Sequence, residues 1–183
     1  MREIIQERRQ QEKNVIVSGL MHRAVAVFII NSKNQVLLQK RSEKQKMWPS
    51  MWDLSSGGHV DSGEQGFQAI QRELHEELGL DIQTSEMTFI GSAFSTNIKG
   101  DIINNHFNEY YVVNKDIDLE SLRLQEAEVS EVKWVDKEEI INRIKNNYEG
   151  ITDKKGAWKY LLEYYESQEK QCIKRKNDEE LDR

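Results

Sequence analysis

The chain has one cysteine, one proline and few aromatic residues, 8 % of its 183 positions. A lone Cys172 can build neither a disulfide framework nor a cysteine metal site within one chain, so a reducing cytoplasm is the natural setting. No stretch approaches the roughly 18 apolar residues that a membrane span needs. The start, MREIIQERRQQEK, has no apolar leader core, so a soluble chain with no membrane partner is expected. Nor is there an excess of positive charge. A formal net charge of −6 argues against nucleic acid as the main partner. Repeats and low-complexity linkers are also missing, and Pro49 and the scattered glycines punctuate the chain without dividing it. Residues 1–183 are expected to form one domain, with a core over about 22–150, an N-terminal arm over 1–21 and a C-terminal helix over 151–183.

What is present is concentrated between Gly58 and Leu80, in GHVDSGEQGFQAIQRELHEELGL. From Gln65 to Leu78 the apolar residues Phe67, Ile70, Leu74 and Leu78 recur at helical spacing and predict one stripe packed on a core. Asp61-Ser62-Gly63 supplies turn chemistry before this helix, and Gly79 is the expected left-handed stop. Glu73, Glu76 and Glu77 fall at i, i+3 and i+4 and share a face beside the stripe. Three such carboxylates repel one another, each close pair costing roughly 0.2–0.5 kcal/mol, and a hard divalent ion removes that penalty. Taken alone, RELHEEL reads more readily as a solvated helix face. Gly58, Glu64 and Gly79-Leu80 in fixed register make an accidental match rare, with odds on the order of one in ten million. Arg72 is counted with the catalytic groups because its planar fork can orient a neighbouring carboxylate.

This segment resembles the complete Nudix box, and the resemblance extends over most of the chain. It implies an α/β fold, the Nudix α/β/α sandwich with a mixed β-sheet, a loop-helix-loop and terminal helices. It also implies an Mg²⁺-dependent pyrophosphohydrolase, with Mn²⁺ as a substitute, cleaving a small-molecule substrate: a nucleoside diphosphate or other organic diphosphate linked to a further group. By that resemblance Glu73, Glu76 and Glu77 are the principal metal ligands, with Glu64 in support and the Gly57 carbonyl available. Glu76 and Glu109 are the candidate general bases. A homodimer stays open.

A second likeness runs from His22 to His59, through HRAVAVFIINSKNQVLLQKRS and WPSMWDLSSGGH, and is similar to the isopentenyl diphosphate isomerase branch. In the isomerases a catalytic cysteine precedes the Gly-His pair, and here Gly57 stands in that place. His22 and His59 match histidines that help bind metal there, and of a later acidic cluster only Glu109 matches, with Phe107 where a second carboxylate belongs. The combination favours an isomerase-like hydrolase over an isomerase or a non-catalytic binding domain. His59 is accordingly placed with the substrate-binding residues, while His106 has no assigned role and His75 is expected in solvent.

Elsewhere, RAVAVFII and QVLLQ read as strands of a hairpin around Asn31-Ser32-Lys33-Asn34. The loop that follows carries Lys40, Arg41, Lys44 and Lys46. In an acidic chain some of these cations can meet phosphate oxygens, with a solvated loop as the even alternative, and Lys40, Arg41 and Lys46 are taken as substrate-binding. Met87 to Phe94, Phe107 to Val113 and Val129 to Val135 read as further strands. Lys137 to Asn147 and Lys154 to about Arg175 read as helices, the second with Trp158, Leu161, Leu162 and Tyr165 inward, and KRKNDEELDR as a frayed tail.

Overall fold

The computed structural model describes residues 20–99 and 102–181. Residues 1–19 of the expected N-terminal arm lie outside them. β1 (Met21–Ile30) pairs in parallel with β6 (Ile102–Asn114) along its whole length, from Met21↔Asn105 to Ile30↔Asn114. β5 (Met87–Lys99) lies antiparallel beyond β6, and β2 (Val36–Arg41) carries β3 (Trp52–Asp53) and β7 (Val129–Val135), both antiparallel. The result is a mixed sheet of seven strands.

The hairpin of β1 and β2 meets only at Ile30↔Val36. Past that point β4 (Ser56–His59) lies against β1, pairing Val27↔Ser56 through Ala24↔His59. A central strand covered on both faces reads as a continuous apolar run, which is why RAVAVFII does not alternate. Its odd and even residues serve different cores. Ala26, Phe28 and Ile30 join Leu38, Tyr110 and Val112 on one face, while Val25, Val27 and Ile29 join Leu37, Tyr111 and Val113 on the other.

Helix α1 (Gly66–Leu78) covers the second face through Ala69, Ile70, Leu74 and Leu78. Phe67, expected in this stripe, is 36 % exposed, and Ala69 takes the inward place. The first face is covered by α2 (Lys137–Lys145) through Ile140 and by α3 (Lys155–Leu181) through Ala157, Trp158, Leu161 and Tyr165. Leu162 is only half-buried. The α/β/α sandwich follows. β5 and β6 extend further than their apolar patterning indicates, because the polar stretch Ser95 to His106 continues the ladder. α3 likewise runs through the expected frayed tail to Leu181, with no glycine or proline after Gly156 to stop it. No described helix is long and apolar enough to cross a membrane.

Candidate functional site

Helix α1 is closed at both ends by its own sequence. Gln65 donates its backbone N–H to the Gln68 side chain at 2.8 Å. Gly79 takes φ 69°, a left-handed cap whose N–H donates to the His75 carbonyl at 3.1 Å. This fixes the rotation of the helix, and with it the glutamate face.

Arg72 is the hub of that face. Its Nη1 donates to Glu73 Oε1 at 2.6 Å, its Nη2 to Glu64 Oε2 at 3.0 Å and to the His59 carbonyl at 2.8 Å. Glu76, 39 % exposed, stands 3.8 Å away. Burial works against the Arg72 charge, but hydrogen bonds and attraction from Glu64 and Glu73 raise its pKa further above the ordinary range. Glu64 also accepts from the Asp61 N–H at 2.9 Å, so the loop and the helix are tied at one guanidinium.

Glu77 is 4 % exposed and lies under the cluster. Its Oε2 accepts from Ser56 Oγ at 2.6 Å and Gln39 Nε2 at 3.3 Å. Burial, then repulsion from Glu73, pushes its carboxyl well above the usual carboxylate range. Burial also pushes Glu73 up, against the pull of Arg72, with Glu128 and Glu76 adding to the rise. Glu128 thus faces both buried carboxylates. Sequence spacing offers no sign of this, since Glu126, Glu128 and Glu131 look alike before folding. The turn that carries it docks directly on the helix, with Gln125 N–H donating to the Glu77 carbonyl at 2.9 Å and Arg123 N–H to Leu78 at 2.9 Å.

Gly58 leaves room for a carboxylate. A Cβ there would overlap the Glu73 carboxyl group, so a larger residue must push that side chain away from Arg72. Gly58→Ala is expected to displace Glu73 and to cost about 1–3 kcal/mol by overpacking, read as a lowered melting temperature. An unchanged melt would show that the side chain moves aside freely.

The other predicted residues separate. Glu109 accepts from Arg23 Nη2 at 2.5 Å and from the Tyr111 hydroxyl at 2.9 Å, beside Gly66 at the start of α1. Arg41, expected to meet substrate, instead donates to Asp53 at 3.1 Å, to the Met47 carbonyl at 3.0 Å and to Gln45 at 3.2 Å. A buried carboxylate beside it holds the guanidinium inward. Lys40 lies 3.5 Å from Glu131 and, with Ser42, Lys44 and Ser130, lines an open groove of about 660 Å³. Lys46 is exposed, and His75 pairs with Asp81 at 2.8 Å in solvent.

Strand alternation divides β4 between the two faces. Ser56 and Gly58 meet the glutamates, whereas Gly57, opposite Ala26, and His59, opposite Ala24, belong to the α3 face. There the His59 ring stands 4.6 Å from that of His22, and its Nε2 is 3.2 Å from Nε2 of His106. The three imidazoles offer ligand atoms within 4.8 Å of one another, a spacing that suits a metal ion. Burial, reinforced by His22, His59 and Lys154, lowers His106 to about 3 and keeps it neutral, the form that ligates. Its sequence distance from His59 hid this partnership.

Residues 20–154 match the NUDIX domain family model. A Listeria innocua protein described as an uncharacterised Nudix hydrolase is 38 % identical over 125 residues, 68 % of this chain and 69 % of that protein. Nudix hydrolase 3 of Arabidopsis thaliana is 42 % identical over 129 residues, but the match spans 68 % of this chain and only 17 % of that longer protein. An Escherichia coli isopentenyl-diphosphate Δ-isomerase is 28 % identical over 125 residues, 68 % of this chain and 67 % of that enzyme. Among solved structures, a MutT protein from Methanosarcina mazei superposes with TM-score 0.63 at 21 % identity, covering 81 % of this chain and 95 % of the other. The NUDIX domain of Shewanella oneidensis NrtR, solved with ADP ribose, gives 0.57 at 17 %, covering 82 % and 88 %.

Proposed function

Because the chain belongs to the Nudix hydrolase family, we propose that it hydrolyses the diphosphate linkage of a small organic diphosphate with a divalent cation, Mg²⁺ or Mn²⁺, at Glu73, Glu76 and Glu77. The observation that carries this reading is the burial of two mutually repelling carboxylates, Glu73 and Glu77, with Glu128 facing both. An all-oxygen donor set of this kind fits a hard cation. Such an ion supplies charge neutralisation at the phosphates and a bound water of lowered pKa.

The chain's own groups do the rest. Arg72 keeps Glu64 and Glu73 in register, and Ser56 with Gln39 holds Glu77. Glu76, whose side chain is 39 % exposed at the rim against 15 % for Glu109, is the better general base, because it is the more open of the two to an attacking water. Lys40, near the end of β2, and the exposed Lys46, in the loop after it, are the cations proposed to meet substrate phosphates, whereas Arg41 is held by Asp53. The NrtR domain binds ADP ribose, which places nucleoside diphosphate sugars among the substrates to try first.

The test is release of phosphate-bearing fragments from a panel of nucleotide and isoprenoid diphosphates, with and without Mg²⁺. Cleavage of none of them would sink the reading. The isomerase alternative has the three-histidine cluster in its favour and Gly57 against it. A Cβ at Gly57 would lie 2.5 Å from the Val25 carbonyl oxygen, so a cysteine does not fit this backbone. Deuterium uptake from heavy water into isopentenyl diphosphate at a catalytic rate would overturn the preference.

The same carboxylates predict a pH-dependent metal effect. Glu73 and Glu77 are raised, so the folded state holds their protons more tightly than the unfolded chain. Their contribution is complete below the ordinary Glu value near about 4.3 and is lost as pH rises through the folded values. Metal-free protein should therefore melt lower at pH 8 than at pH 6. Millimolar Mg²⁺ or Mn²⁺ should restore stability most at pH 8, and EDTA should reverse it. Equal metal response at both pH values would count against ligation by these groups.

A further inference from the structure

Gln39 is 3 % exposed on β2, two residues after Leu37, and so points to the α1 face. Its Nε2 donates to Glu77, yet its Oε1 is buried without a hydrogen-bond partner. An orphaned buried acceptor is destabilising, and native proteins rarely leave one. With Glu77 ionised, as a cation would require, turning the amide over does not help, because it would set Oε1 against a carboxylate, oxygen to oxygen. The charged groups that act on Glu77, namely Glu73 and Glu128, are likewise acceptors when ionised. The missing partner is therefore a donor or a cation that the described residues do not provide.

We propose that Gln39, outside the box, is a positioning residue of the cation site: its Nε2 fixes Glu77, and its Oε1 accepts from a water on the ion or meets the ion directly. This rests on the cation reading above and deepens it. The amide joins two functions that a carboxylate alone cannot. It presents a donor to the Glu77 oxygen already bonded by Ser56, and an acceptor to the space that the charges of Glu73 and Glu128 make attractive to a cation. Groups that hold metal ligands in this way typically govern affinity by about 10- to 100-fold.

The experiment is Mn²⁺ titration of the full chain at pH 8, with free Mn²⁺ followed by electron paramagnetic resonance, on the wild type, Gln39→Met, Gln39→Glu and Glu77→Gln. Thermal melts in EDTA accompany it. Gln39→Met keeps the length of the side chain and removes both polar atoms. It should weaken Mn²⁺ by about 10- to 100-fold while melting no lower without metal, since an orphaned oxygen has gone. Gln39→Glu keeps an oxygen at the orphaned position and loses the N–H donor. It should bind Mn²⁺ at least as tightly as the wild type but melt lower in EDTA, through repulsion with Glu77. Should Gln39→Met fail to fold, Gln39→Glu decides alone, and weaker Mn²⁺ binding by it overturns the proposal. Wild-type affinity in Gln39→Met, with binding lost in Glu77→Gln, would show that Gln39 only packs and would leave the cation site standing. No Mn²⁺ binding by the wild type, or none lost in Glu77→Gln, removes the cation reading and this inference together.

Discussion

Glu77→Gln is expected to leave a folded protein, at least as stable as the wild type without metal, whose diphosphate hydrolysis falls by at least about 100-fold. The two halves have one cause. Burial and Glu73 already push the Glu77 carboxyl toward its neutral form, so an amide of the same shape relieves repulsion at no cost in packing. That amide cannot replace the charge that a cation needs. Partners that merely hold a ligand cost about 10- to 100-fold when removed, and a direct ligand should cost more. Glu73→Gln should behave alike, with some loss of stability because Arg72 Nη1 loses its charged partner at 2.6 Å. Steady-state hydrolysis with Mg²⁺, paired with thermal melts in EDTA, checks both. An undiminished kcat in folded Glu77→Gln would remove this residue from the site.

Asp53→Asn is expected to lower stability by about 3 kcal/mol. Asp53 is completely buried and accepts from Lys154 at 2.6 Å, Arg41 at 3.1 Å, Thr152 at 2.9 Å and the Leu54 N–H at 2.9 Å. It thereby pins β3 to β2 and to the segment entering α3. Burial alone would raise its pKa, but Lys154 and Arg41 outweigh that and hold it below the ordinary value. Asparagine keeps the shape and leaves two cations facing a neutral group. Arg41 and Lys154 are 18 % and 30 % exposed, so water softens the penalty and places it at the low end for a broken buried pair. For a chain of this size that corresponds to a fall of about 6–12 °C in melting temperature. The folded pKa is depressed, so the contribution is present above the unfolded value near about 3.9 and is lost as pH falls through the folded one. The gap between variant and wild type should therefore close in strong acid. A variant that melts with the wild type at neutral pH would show that the cations are satisfied by water instead.

The helix of the box was legible because everything that shapes it is local. Its apolar period, its glycine stop and the i, i+3, i+4 glutamates need no partner to be recognised, and the apolar run RAVAVFII was legible as a strand. Phe67 was misplaced because a periodic stripe is wider than the surface that finally covers it, and the neighbouring Ala69 fits closer to the sheet. Arg41 was misplaced because a cation in a loop looks alike whether it faces solvent or a buried aspartate 12 residues on.

The sequence by itself determined the amphipathic helix and the shared face of Glu73, Glu76 and Glu77, which are written in short-range spacing, and its resemblance to the Nudix box pointed to the family and the sandwich. Which groups surround those carboxylates was decided only by tertiary structure. Gln39, Ser56 and Glu128 reach Glu77 from three separate strands or turns, and no local pattern encodes such meetings. The pleat of β4 made the sharpest division, turning Gly58 toward Glu73 and its neighbours Gly57 and His59 toward His22 and His106. Adjacent residues in a strand point to opposite faces, so a continuous segment was divided between two side-chain clusters once the sheet was covered on both sides.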